Sequence, residues 1–207
     1  MIYRTFQRRV PLLLVLFFFA ACTQGTITPL SGGNGTAVTA QSGETATELR
    51  QRPLRLPQLQ SGGACPTSSA RSVTAQFGIA QGNGPVYATI GGIRSSQHAV
   101  LQYTDAAHFG RGEPVNQGWG GVKVLWFVDP QYQGLILVRG QQLDGGQTLR
   151  FNDPLQPDLV LDATHSGSEA HWANFPSYTR VQAPGCYAYQ VDGYGFSYVI
   201  VFQAAPA

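Results

Sequence analysis

The chain has little charge and few of the side chains from which reactive sites are usually built. Of its 207 residues only 12% are charged, and it contains 4 histidines, 3 cysteines and 1 methionine. Arg4, Arg8 and Arg9 lie at the amino terminus, so 10 of the 13 basic residues remain beyond residue 22, against 11 acidic ones. That part therefore carries a net charge of −1. Nucleic-acid binding needs a clustered basic surface, and we expect no nucleic-acid partner.

The sequence also lacks a membrane-spanning apolar run and any stretch of helical periodicity. Its apolar run at residues 10–21 has 12 residues, whereas a transmembrane helix takes about 20. No window repeats its apolar side chains at helical spacing over several turns. Instead, 25 glycines and 13 prolines interrupt runs rich in aromatic residues. This composition is typical of short strands joined by tight turns, and it predicts an all-β domain.

The amino terminus has the order of an export signal. Residues 1–9 contain three arginines and no acidic residue, and the apolar residues 10–21 follow. A cationic start before a short apolar run is typical of a signal peptide. The run ends in Phe19-Ala20-Ala21-Cys22, which resembles the bacterial lipobox.

The lipobox resemblance implies cleavage of a signal peptide over residues 1–21 and attachment of lipid to Cys22. The chain would then be an extracytoplasmic protein anchored to the bacterial cell membrane, because acyl chains hold a protein to a bilayer. Two alternatives stay open at this point. One is an ordinary cleavable signal with an incidental cysteine, and the other is an uncleaved anchor.

Residues 22–62 predict a flexible tether. They are rich in Thr, Gly, Ser, Gln and Pro and contain no aromatic residue. Such a segment has too little apolar surface to offset the entropy lost on ordering. We expect it to hold the folded domain away from the lipid surface. Residues 54–57, Leu-Arg-Leu-Pro, are a short piece that could instead dock on the domain or on a partner.

Residues 63–207 predict the folded domain, a β-sandwich or barrel. Turn signals rich in Gly, Asp, Asn and Pro separate short apolar runs, as in sandwiches and barrels. Asp192-Gly193 is predicted to be a hairpin turn, and we expect the two strands around it to be central, covered on one face and partly covered on the other. The candidate strands are residues 73–79, 86–90, 98–103, 122–128, 135–143, 147–151, 159–161, 179–182, 186–192 and 196–203.

The closing hairpin carries a family resemblance. Residues 184–202, PGCYAYQVDGYGFSYVIVF, resemble the last hairpin of bacterial immunoglobulin-like domains, in which Pro-Gly-x-Tyr opens the penultimate strand and Asp-Gly turns the chain back. Residues 82–92, 121–130 and 135–146 are similar to an uncharacterised group of bacterial secreted and lipid-anchored proteins. The resemblance implies an immunoglobulin-like antiparallel β-sandwich in the cell envelope. It implies no activity.

With Cys22 assigned to lipid, Cys65 and Cys186 remain as a pair. Extracytoplasmic compartments are oxidising, so we predict a disulfide that joins the start of the domain to its penultimate strand. A reactive thiol pair or a pair of metal ligands would be the alternatives, but no Cys-x-x-Cys spacing supports them. We expect Trp126 to pack near the disulfide.

The polar residues suggest no enzyme. Asp162, His165, Glu169 and His171 cluster in the sequence, and imidazole and carboxylate groups can bind zinc or calcium. Their spacing matches no metal signature, so an exposed polar loop is the expected structure, with no metal and no cofactor. There is no Gly-x-Ser-x-Gly nucleophile motif. A metal-dependent hydrolase is the alternative, and it requires this cluster to converge in a pocket.

Three aromatic residues are the candidate binding residues. Trp119 lies in a Gly-rich stretch, and Trp172 and Tyr178 flank Phe175-Pro176. Aromatic side chains on loops offer large, stiff contact areas for sugars or proteins. Alternatively, they cap the ends of the core.

The sequence thus predicts a non-catalytic, lipid-anchored envelope protein with a binding or structural domain. Its expected partners are the membrane, through the lipid, and an envelope protein or polysaccharide. A carbohydrate- or wall-binding module is the sharper alternative. That alternative requires Trp119, Trp172 and Tyr178 to form one exposed row.

Overall fold

Two β-sheets pack face to face in the computed structural model, which describes residues 43–60, 62–74, 78–91, 99–105, 118–164 and 171–207. All of these residues belong to one unit, residues 41–207. Within them the elements are α1 (Ala46–Gln51), β1 (Ala70–Thr74), β2 (Gly78–Gln81), β3 (Val86–Ala88), β4 (Val100–Tyr103), β5 (Gly120–Val128), β6 (Leu135–Gln142), β7 (Arg150–Phe151), β8 (Leu159–Asp162), β9 (Ala173–Val181), β10 (Gly185–Gly193) and β11 (Phe196–Pro206).

The first sheet has six strands in the order β1-β2-β3-β5-β9-β7, and the second has five in the order β4-β11-β10-β6-β8. The pairs between these strands are antiparallel, except that β4 runs parallel to β11. Apolar side chains from both sheets form one shared core. The prediction of an all-β sandwich is confirmed.

Aromatic side chains fill the centre of the sandwich. The rings of Trp126 on β5 and Tyr189 on β10 meet edge to face with centroids 5.2 Å apart. Both carry a polar group that needs a partner once buried, and β9 supplies it. Trp126 Nε1 donates to Ser177 Oγ at 3.1 Å, and the hydroxyls of Tyr189 and Thr179 lie 2.7 Å apart. Burial raises the pKa of Tyr189 far above its usual value.

Two predicted strands differ from the observed ones. Residues 73–79 were predicted as a single strand, but the chain there contributes to β1 and β2, which pair with each other. The prediction over 179–182 missed most of β9. Pro176 interrupts the strand signal because it has no N–H to donate. The sheet tolerates it because β7 pairs with residues 179 and 180 of β9, and no described strand pairs with Pro176 on that edge.

The predicted turn in the closing hairpin is also wrong. Gly193 pairs with Phe196, so Tyr194 and Gly195 form the two-residue loop, and Gly195 has the positive φ of 79°. Asp192 therefore lies inside β10, where its side chain is fully buried. The other prediction for this hairpin is confirmed, since its inner face joins the shared core and a second apolar cluster covers part of its outer face.

Residues 43–60, which we call the strap, provide much of that outer cover. The strap begins with α1, whose first turn is closed by a capping box between Thr45 and Glu48. Leu49 is fully buried. Arg50 donates two hydrogen bonds to Asp158, at 2.7 and 2.9 Å. A helix this short is marginal alone, so these contacts with the sheet hold it.

Past α1 the strap crosses the outer face of the five-stranded sheet. The amide of Arg55 donates to Gln190 Oε1, and Gln190 Nε2 donates to the carbonyl of Pro53 at 3.1 Å. Leu56 and Leu59 pack on the cluster of β10 and β11 residues there. The prediction of a flexible tether is wrong for the strap, and the docking alternative for residues 54–57 is the observed arrangement. Of the rest of the predicted tether, residues 22–42 and 61 lie outside the described residues, and Gly62 is described.

The predicted disulfide is present. Cys65 and Cys186 are bonded, with their Cα atoms 5.4 Å apart and a separation of 121 positions in the sequence. Trp126 does not pack near it. Side chains alternate along a strand, so Cys186 faces the outer cluster under the strap while Tyr187 and Tyr189 face the core with Trp126.

Candidate functional site

The outer face of the six-stranded sheet carries the predicted binding residues. Along β9, Ala173, Ser177 and Thr179 are buried in the sandwich, whereas Asn174 and Tyr178 are exposed on the other side. This is the alternation of a strand with one face in the core. We call the opposite side, on β3, β5, β7 and β9, the aromatic face.

Tyr178 lies at the middle of the aromatic face. Its side chain is 40% exposed, and its register partner on β5 is Lys123, which is also exposed. Asn152 fixes its backbone, since the amide of Tyr178 donates to Asn152 Oδ1 at 3.0 Å and the amide of Asn152 donates back to the Tyr178 carbonyl at 2.9 Å. The pairing of β5 with β9 thus places the phenol side chain of Tyr178 beside the basic side chain of Lys123.

Arg180 lies beneath this surface. Only 1% of the residue is exposed, and its guanidinium lies 5.2 Å from the centroid of the Tyr178 ring. Arg180 Nε donates to the Asn152 carbonyl at 3.2 Å, and Nη2 lies 3.6 Å from Asp153. Burial lowers the pKa of Arg180, and Asp153 opposes that shift. Gly121 makes room for the side chain, because a Cβ there would lie 2.9 Å from Arg180 Cδ.

Trp119 stands at one end of the aromatic face. The guanidinium of Arg150 lies over its ring, 5.9 Å from the centroid. Arg150 pairs with Arg180 in the β7–β9 register, and its neighbour Phe151 is in the core, so Arg150 points outward. Trp119 itself is half-buried.

Trp172 stands at the other end. Its ring lies 5.8 Å from that of Tyr87 on β3. Val86 and Ala88 on either side of Tyr87 are core residues, so the Tyr87 ring points away from the core. Trp172 and Tyr87 are both half-buried and together make a second aromatic patch on the same face.

The structure therefore places Trp119, Trp172 and Tyr178 on one face of one sheet. At about 3.3 Å per residue, Trp172 and Tyr178 are roughly 20 Å apart along β9. Gly120 pairs with Val181, so Trp119, one residue before Gly120, lies level with the residue after Val181. On the same scale this places Trp119 about 13 Å from Tyr178, on the side away from Trp172. An open cavity of about 490 Å³ lies at the middle of the row, lined by Lys123, Asn152, Asp153, Pro176, Ser177 and Tyr178.

The sequence missed the cations of this face. Side chains alternate along residues 122–128, so Lys123 points to the side away from the core residues Val124 and Trp126. This alternation could have identified Lys123 as a residue of the outer face. Arg150 carried none, because β7 has only two residues and its pairing with β9 joins segments far apart in the chain.

Of the four residues named for the metal alternative, the structure describes Asp162 and His171. Asp162 Oδ1 accepts the amide of Thr164 at 3.0 Å, and His171 is exposed. His165 and Glu169 lie outside the described residues, and so does Cys22. Among the residues that are described, no three His, Cys, Asp or Glu side chains converge on a common point. In that same part of the chain, no helix is long and apolar enough to cross a bilayer.

Fold and site together define an all-β sandwich with an aromatic and basic sheet face. No protein-family model matches the chain, and no curated protein matches it. A solved structure of a candidate lipoprotein from Bacillus anthracis resembles it with a TM-score of 0.42 and 12% identity, over 82% of this chain and 99% of that protein. A similarity this low decides neither the fold nor the function of this chain.

Proposed function

We propose that the chain is a non-catalytic, lipid-anchored envelope protein of immunoglobulin-like type that binds a polysaccharide on its aromatic face. The observation that carries the proposal is the placement of Trp119, Tyr178 and Trp172 along one face of one sheet. The C–H face of a sugar ring packs well on an aromatic ring, which offers a large and rigid surface at little entropic cost.

The spacing of the aromatic residues favours a polymer over a single sugar. The three rings extend over roughly 33 Å at about 3.3 Å per residue, which is longer than one sugar unit. The cavity beside Tyr178 is open rather than enclosed, with Lys123, Asn152 and Asp153 as polar groups at its margin. An extended chain can lie across such a surface, whereas small-molecule sites usually bury most of their ligand.

Replacing Tyr178 with alanine should weaken binding about tenfold, because a central aromatic contact costs more than about 1 kcal/mol when truncated. The measurement is co-sedimentation of the purified protein with insoluble peptidoglycan sacculi, chitin and cellulose. Tyr194→Ala is the matched control, since Tyr194 is 43% exposed but lies in the β10–β11 loop of the other sheet. Equal losses in the two variants, or no binding to any polymer, would contradict the proposal.

Support for the anchored location comes from the amino-terminal sequence and from the disulfide. A cationic start, a short apolar run and Cys22 follow the lipoprotein order, and a disulfide between Cys65 and Cys186 suits an oxidising compartment. The immunoglobulin-like assignment is supported by residues 184–202, which form the closing hairpin of β10 and β11.

The anchor has its own test. In cells fed an alkyne fatty acid, the wild-type protein should take up the label and partition into the detergent phase of Triton X-114. Cys22→Ala should lose the label and move to the aqueous phase, because no acyl chain is left to hold it. Thr23→Ala is the control and should behave as the wild type. A Cys22→Ala protein that stays in the detergent phase would refute lipidation at this position.

A further inference from the structure

We infer that the polysaccharide bound by the aromatic face is anionic, carrying carboxylate or phosphate groups along its chain. The inference rests on the proposed function and adds the charge of the ligand. It is based on the juxtaposition of basic side chains with the aromatic residues: Arg150 lies over Trp119, and Lys123 lies beside Tyr178.

Most arginines of the five-stranded sheet and its strap are neutralised within the chain. Arg50, Arg52 and Arg139 each contact a carboxylate there, and of the described arginines on that side only Arg55 lies within salt-bridge distance of none. Among the described residues, Lys123 and Arg150 lie within salt-bridge distance of none. The aromatic face therefore presents cations that an external anion can pair with.

The acidic residue at the cavity is already engaged. Asp153 is the acid among the lining residues, and Arg180 Nη2 lies 3.6 Å from its carboxylate. Among the described residues of the aromatic face, Lys123 and Arg150 are then the charged side chains without a carboxylate partner. This contrasts with the net charge of −1 beyond residue 22, obtained from 10 basic and 11 acidic residues.

The chemistry of these groups selects the class of ligand. Ammonium and guanidinium groups pair with carboxylate and phosphate oxygens through charge-assisted hydrogen bonds. The neighbouring rings accept the C–H faces of the sugars between those charges. A neutral glycan would use the rings but leave the cations without a partner.

The test compares glycans that differ in charge alone, at low salt. Polygalacturonate is set against its methyl ester, and phosphomannan against neutral mannan, so the two arms separate a carboxylate from a phosphate source. We expect at least one charged polymer to bind about tenfold more tightly than its neutral counterpart, with an affinity that falls as salt screens the charges. Affinity electrophoresis of the purified protein gives all four values.

Variants locate the effect. Lys123→Gln and Arg150→Gln should each weaken binding of the charged polymer about fivefold, and they should weaken binding of the neutral polymer less, because only the charged one pairs with the lost cation. Arg55→Gln removes the same charge from the exposed strap on the opposite sheet and should change neither. Equal binding of charged and neutral polymers would overturn the anionic inference while leaving the proposed function intact. Failure of every polymer to bind would overturn both.

Discussion

Asp192→Asn will lower the free energy of unfolding by about 3 kcal/mol or more, measured by urea denaturation at neutral pH. Removing one partner of a buried ion pair costs about 3–5 kcal/mol, because the other charge is left uncompensated. The substitution keeps the size of the side chain, so a cavity does not confuse the result. It removes the charge and turns one acceptor oxygen into an NH2 donor that faces the donors of Arg139, Gln190 and Ser197.

The reason for the large effect is the number of groups that depend on this one carboxylate. Asp192 is fully buried. It accepts Arg139 Nη2 at 2.7 Å, Ser197 Oγ at 2.7 Å and Gln190 Nε2 at 3.0 Å. Arg52 Nη1 lies 3.9 Å away. Arg139 also donates to the carbonyl of Arg52 at 2.9 Å, so the carboxylate orients the side chain that holds the strap.

Asp158→Asn is the matched control. It breaks the pair with Arg50, whose side chain is 47% exposed, and an exposed pair contributes less than about 1 kcal/mol. Trypsin cleavage after Arg55 reports strap release separately from global unfolding, and it should accelerate in Asp192→Asn. Similar losses of stability in the two variants would show that Asp192 is not the central contact described here.

Replacing both cysteines, Cys65→Ala with Cys186→Ala, should destabilise the domain by several kcal/mol. The bond closes a loop of 121 residues, for which the chain-entropy model gives about 5 kcal/mol, and measured values for native disulfides are about 2–5 kcal/mol. Denaturation of the oxidised wild type and the double variant gives the difference. An equal free energy of unfolding in the two proteins would mean that the disulfide constrains little of the unfolded chain.

The double variant should keep its strap in place. Contacts from Arg52, Arg139 and Gln190 do not involve the disulfide. Trypsin should therefore cleave after Arg55 no faster in the native state of this variant than in the wild type. Rapid cleavage there would show that the strap depends on the bond rather than on the polar contacts.

The class of fold was predictable because its signals are local. Alternating side chains and Gly-rich turns are written within each segment. The strap was not predictable in the same way. Leu56 and Leu59 lie in a polar stretch, and they are covered by packing on Cys186, Ala188 and Val201, which follow more than a hundred positions later.

Asp192 shows the limit of local turn chemistry. Asp-Gly favours a hairpin turn, but Arg139 lies 53 residues away and its charge is satisfied only when Asp192 stays in the strand. The candidate site was likewise predictable only in part. Aromatic residues stood out in the sequence, whereas Arg150 gained its position from a strand register that no local pattern encodes.

The position of Cys65 decides how tension on the protein would travel. It follows the strap and precedes β1, which is the edge strand of the six-stranded sheet. A pull on the chain ahead of residue 43 would first strip the strap and then meet the covalent link to Cys186 in β10. The force would pass into the middle of the opposite sheet, and the edge strand would not unzip.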